Sequence, residues 1–135
     1  MNAPRRAPGD GATFCCGVTF EAWFDAGPPP DATAAEVRDL VADWFCPTLG
    51  HEGVVAGLVA RGLGRRVALA EARPGDLCQF WRTVDPARPS GHSVVFLSFD
   101  AGELRYWSSQ RATNGIGVHA ERVGPEWSVA VVRAR

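Results

Sequence analysis

Two cysteines and one histidine carry the chemistry this chain could perform. Cys15 and Cys16 stand in Phe14-Cys15-Cys16-Gly17-Val18-Thr19-Phe20, where a short loop turns into an apolar segment. That pattern predicts a helix over about 16–25 with a thiol at its start. Unpaired backbone N–H groups and the positive end of the helix dipole at such a place favour the thiolate, the nucleophilic form of cysteine. His92 stands in Ser90-Gly91-His92, at the mouth of the most apolar run, Val94-Val95-Phe96-Leu97. An imidazole there can take the proton of such a thiol.

A nucleophile and a base need a third, polar group to fix the imidazole tautomer. The stretch Tyr106-Trp107-Ser108-Ser109-Gln110 follows the His92 segment through the turn Asp100-Ala101-Gly102. In an extended strand Tyr106, Ser108 and Gln110 share one face. The amide oxygen of Gln110 can accept the imidazole N–H. Cys15 is the expected nucleophile and Cys16 its alternative. Each residue also has a plainer reading: a cysteine beside apolar residues is commonly a small core side chain, and His92 could simply end a turn. Cys46 with His51 lacks an obvious third member, and His119 sits on a late strand among Val118, Ala120 and Glu121.

The elements that must position these groups follow from the pattern. Residues 1–12 have two arginines but no hydrophobic stretch and read as a loose leader, not a secretory signal, which points to a cytoplasmic protein. Residues 13–135 read as one domain. Gly27 and Pro28-Pro29-Pro30 end the first helix. Thr33 and Glu36 form a capping box for a second helix, whose Val37, Leu40, Val41, Trp44 and Phe45 share a face before Pro47 stops it. A third helix is predicted over about 52–61, closed by Gly62 or Gly64. From Arg65 the period changes to two: strands are predicted near Val67 and Leu69 and over 77–82, 92–99, 103–108, 115–122 and 127–132. Helices first and hairpin-linked strands afterwards predict an α+β domain with N-terminal helices packed on an antiparallel sheet.

These residues resemble the NlpC-type cysteine peptidases of the papain-like superfamily. Cys15-Cys16-Gly17-Val18 is similar to the Cys-Ser-Gly-aliphatic motif that opens their catalytic helix. Arg73-Pro74-Gly75-Asp76-Leu77-Cys78-Gln79-Phe80 resembles their Pro-Gly-Asp-Leu strand, and Gly91-His92-Ser93-Val94-Val95-Phe96-Leu97 the strand with their histidine. The third polar residue of the family falls near Ser108. Phe14 stands where an acidic residue is usual, and Cys16 occupies the serine slot. The resemblance implies the papain-like NlpC-type fold and a cysteine amidase or endopeptidase that passes through a thioester, on substrates such as peptidoglycan stem peptides. A domain of the same fold without turnover, acting as a binding module, is the alternative.

Composition narrows the remaining classes. With 135 residues, 46% apolar content and five tryptophans the chain can bury a real core. A formal net charge of -1 gives no electrostatic case for nucleic acid or an anionic membrane. No apolar run approaches the about 20 residues of a membrane span. The four cysteines do not make a disulfide scaffold and read as reduced thiols. Without Cys-x-x-Cys or His-x-x-x-His spacing, no metal or other cofactor is expected. The expected partner is a small peptide or amide substrate.

Overall fold

The computed structural model describes residues 11–44, 51–82, 87, 90–110 and 115–135, with the side chains of 11–18, 41–44, 110 and 115 outside the description. Helix α1 covers Gly11–Ala26, α2 Ala34–Trp44 and α3 Gly53–Ala60. Strands β1 (Gly64–Val67), β2 (Leu77–Trp81), β3 (Gly91–Asp100), β4 (Glu103–Gln110), β5 (Gly115–Arg122) and β6 (Ser128–Ala134) follow. They form one six-stranded sheet in the order β1-β6-β2-β3-β4-β5, antiparallel throughout.

Local chemistry explains the helix ends. At the start of α2 the Thr33 N–H donates to Glu36 Oε2 at 2.8 Å and the Glu36 N–H to Thr33 Oγ1 at 3.1 Å, the reciprocal capping box. Helix α3 ends in a Schellman motif, with Leu63 N–H on Leu58 O and Gly62 N–H on Val59 O, and Gly62 takes φ +66. Gly27, at φ +97, donates to Phe24 O and closes α1 before the prolines. Trp44 ends α2; its side chain, and Phe45, Cys46 and Pro47, lie outside the described residues.

The sheet carries core on both faces. Phe20 and Trp23 of α1, Val37 and Leu40 of α2, and Val54, Val55 and Leu58 of α3 pack on Leu77 and Val132, with Val95 and Ala130 beside them. Alternation then turns Cys78, Phe80, Val94, Phe96, Leu104, Tyr106 and Val131 to the other face, where Leu69, Ala72, Val123 and Trp127 from connecting segments cover them.

This corrects the expected fold. The described residues form a small β-rich domain, a six-stranded antiparallel sheet with three short helices, and not the α+β papain-like NlpC-type domain the motif order implied. The helices run 16, 11 and 8 residues and close only one face. All five residues of β2 are buried, because its other face is sealed by the chain's own loops and not left to solvent. The ranges of β2 to β6 agree closely with the alternation in the sequence, but the strand expected near Val67 and Leu69 ends at Val67, and Leu69 opens a 3-10 turn. The sheet, which organises both cores, outweighs the helical first half. No described helix is long and apolar enough to cross a membrane.

Candidate active site

The proposed base and its orienting partner lie on adjacent strands. His92 is the second residue of β3, buried, and in register with Phe80 of β2. Its ring meets Phe80 edge-on at 5.7 Å between centroids and Tyr106 of β4 at 5.4 Å, with interplanar angles of 83° and 78°. Gly91 before it is required by packing, since a Cβ there would stand 2.6 Å from the Trp81 ring. Gln110 is the last residue of β4, paired with Gly115 of β5; its side chain lies outside the description. Strands β3 and β4 pair through Val95 and Trp107. Carried on toward the strand ends without a shift, that register sets position 110 across from His92. Ser108, the alternative third residue, is buried and donates its hydroxyl to the Ser93 carbonyl at 3.0 Å, so it stitches the two strands together.

The cysteines sit on α1, but not at its tip. The helix begins at Gly11, so Cys15 falls beyond the first turn, whose N–H groups are the unpaired ones. The dipole argument for a lowered thiol pKa loses its force there, because that effect fades after the first turn. The side chains of Cys15 and Cys16 lie outside the described residues. The backbone at Cys15 precedes Thr19 by about one turn, and the Thr19 and Ser93 hydroxyls are hydrogen-bonded at 3.2 Å. Beyond Thr19, Phe20 and Trp23 join the cluster of Leu77 and Val95, further along β3. The N-terminal part of α1 therefore points to the end of the sheet where β3 begins and β4 stops. Ser93 faces α1, and alternation turns its neighbour His92 to the opposite face. Ser109 is buried near this end, and its Oγ has no hydrogen-bond partner among the described residues.

A charged network around His92 was not legible in the motifs. The Tyr106 hydroxyl donates to Glu121 Oε2 at 2.5 Å. Arg82 grips both Glu121 oxygens, Nε to Oε1 at 2.8 Å and Nη2 to Oε2 at 2.6 Å, and its Nη1 donates to Ser90 Oγ at 3.0 Å. The guanidinium also lies over the Phe80 ring at 4.9 Å and the Trp127 ring at 5.7 Å. Burial pushes the Glu121 carboxyl up, yet hydrogen bonds from Arg82 and Tyr106 outweigh it and hold the group below its usual range. Burial, then the adjacent Glu121, raises the Tyr106 phenol well above its ordinary value. The one available sequence signal was alternation, which turns Tyr106 to the face of Phe80 and His92.

The remaining candidates have other duties. His51 Nδ1 accepts the Gly53 N–H at 2.9 Å and its carbonyl accepts Trp81 Nε1 at 2.8 Å, so it braces the start of α3; Cys46 lies outside the described residues. The His119 ring packs on Tyr106 at 5.9 Å. Cys78 is a free, fully buried thiol whose pKa is pushed up to about 12 by burial. Among the described residues no group of His, Cys, Asp and Glu could hold a metal ion. No family model matches this chain, and no curated protein or solved structure matches it significantly.

Proposed function

We propose that this protein is a cysteine hydrolase that cleaves an amide, with Cys15 as nucleophile, His92 as base and Gln110 as the group that orients the imidazole. The observation that supports the reading is the β3–β4 pairing at Val95–Trp107 and Phe96–Tyr106; continued unshifted, it sets position 110 across from His92 near Ser93, which α1 meets through Thr19. His92 takes the thiol proton as sulfur attacks the carbonyl carbon, then gives that proton to the leaving amine. Water, deprotonated by His92, opens the resulting thioester and releases acid and free thiol. Gln110 accepts the other imidazole N–H and so selects the tautomer. Cys16 and Ser108 are the alternatives for nucleophile and third residue. The motif order supports peptide-like amides, peptidoglycan stem peptides among them, as the substrate class.

One observation favours a second reading, a binding module without turnover. Ser93 meets α1 and alternation turns His92 away from it, against Phe80 and Tyr106. A panel of peptide amides that includes stem peptides separates the two. The hydrolase reading expects turnover by the natural chain, none by Cys15→Ser or His92→Ala, and partial loss in Gln110→Ala. Loss in Cys16→Ser with activity kept in Cys15→Ser moves the nucleophile by one residue. No turnover on any amide favours the binding module, and turnover that ignores every one of these substitutions rejects the named residues.

A further inference from the structure

We infer that the Arg82–Glu121 pair, acting through Tyr106 and Phe80, positions the His92 ring. This inference rests on the hydrolase reading for its purpose but not for its geometry. Two aromatic rings wall the imidazole, and both are tied to the same ion pair. The Tyr106 wall is fixed by its hydroxyl on Glu121 Oε2, and the Phe80 wall lies under the Arg82 guanidinium. The pair also holds the chain leading into His92. Arg82 Nη1 donates to Ser90 Oγ, and the Arg82 backbone N–H donates to the Ser90 carbonyl at 2.7 Å. From Ser90, just before β3, through Arg82 after β2 and Glu121 of β5 to Tyr106 of β4, the contacts form a belt beside His92.

Such a belt suits a base more than a mere core. A buried imidazole needs its ring nitrogens paired, but a general base must also hold them within a narrow range of position, since an error of about 1 Å can cost roughly 100-fold in rate. The guanidinium fork on the Glu121 carboxylate is the rigid bidentate geometry that fixes orientation. The charged and titratable groups in the belt are Arg82, Glu121 and Tyr106, with His119 packed on the Tyr106 ring.

The His92 ring resonances in the isotope-labelled full chain, with kcat and KM on the best amide of the panel, test this. Tyr106→Phe keeps the ring and drops its tether; Arg82→Lys keeps the charge and drops the fork. Both should shift or broaden the His92 ring signals and lower kcat by about 10- to 100-fold with KM nearly unchanged. Arg135→Ala, which removes exposed contacts to Asp31 and the Gly62 carbonyl far from His92 in sequence and strand order, should do neither. Circular dichroism checks that each variant is folded. Folded variants with the natural His92 signals and natural kcat overturn the inference. A chain that hydrolyses nothing yet loses its His92 signals in the same two variants upholds the positioning and defeats the hydrolase reading alone.

Discussion

The Tyr106 hydroxyl donates to Glu121 Oε2 at 2.5 Å, joining β4 to β5 diagonally across the sheet beside the histidine of the candidate site. Tyr106 is the chain's single tyrosine, so absorbance at the phenolate band reports this bond alone. Burial and the neighbouring Glu121 raise its folded pKa, so the phenol should stay protonated well above the ordinary value of about 10. The sign is that of a raised group: the stability it adds is complete below the unfolded value and is lost as pH rises toward the folded one. The native titration should lie to the alkaline side of the titration in denaturant. Coincident curves would show that the bond is not made.

Tyr106→Phe removes the hydroxyl and leaves Glu121 with Arg82 alone. A hydrogen bond to a charged group contributes about 1.5–3 kcal/mol, so the denaturation midpoint should fall by that equivalent at neutral pH. The loss should shrink in acid, since the lowered pKa of Glu121 stabilises the fold above its unfolded value and is forfeited as pH falls through the folded value.

Cys78 should behave as an inert thiol. It is fully buried and its pKa is raised to about 12. A disulfide reagent near pH 8 should leave it unmodified in the native chain and modify it promptly after unfolding. Peptide mapping reads this directly.

Thr33→Ala should destabilise the chain by about 0.5–2 kcal/mol, because α2 loses the hydroxyl that accepts the Glu36 N–H. Thr33→Ser, which keeps the oxygen, should restore most of the loss. Chemical denaturation of the three chains measures it.

Asp76 joins a turn to the last strand. Its carboxylate accepts the Arg73 N–H at 2.8 Å and two N–H groups of Arg133, at 3.0 and 2.8 Å. Asp76 is buried while Arg133 is only half-buried, so Asp76→Ala chiefly leaves the Arg73 N–H unpaired and should cost about 1–3 kcal/mol. A midpoint near that of the natural chain would place this pair among weak surface bridges.

What the sequence made legible was local. Thr33 and Glu36 stand at capping-box spacing and bond as that spacing requires. Arg73-Pro74-Gly75-Asp76 forms the expected turn, with Gly75 at φ +96 and the Asp76 N–H on Arg73 O. Alternation located β2 to β6 within a few residues. The start of α1 was missed because Asp10, a preferred capping residue just before Gly11, stands among Pro and Gly that read as a leader, and that shift moved Cys15 out of the first turn. Arg82 and Glu121 are 39 residues apart and meet only because β5 closes one edge of the sheet, a fact no local pattern carries. The α+β reading failed for a related reason. The loops that seal the second face, with Leu69 and Trp127, show no periodicity to announce their burial.

The central claim is that Cys15 and His92 work as a pair, and the pH dependence of Cys15 alkylation tests it most directly. Iodoacetamide rates at Cys15, followed by peptide mapping, separate it from Cys16, Cys46 and Cys78. A thiolate–imidazolium pair predicts fast alkylation persisting well below pH 8, lost in His92→Ala. A Cys15 rate that climbs only near the ordinary thiol pKa of about 8.5, and is the same in His92→Ala, would contradict the account.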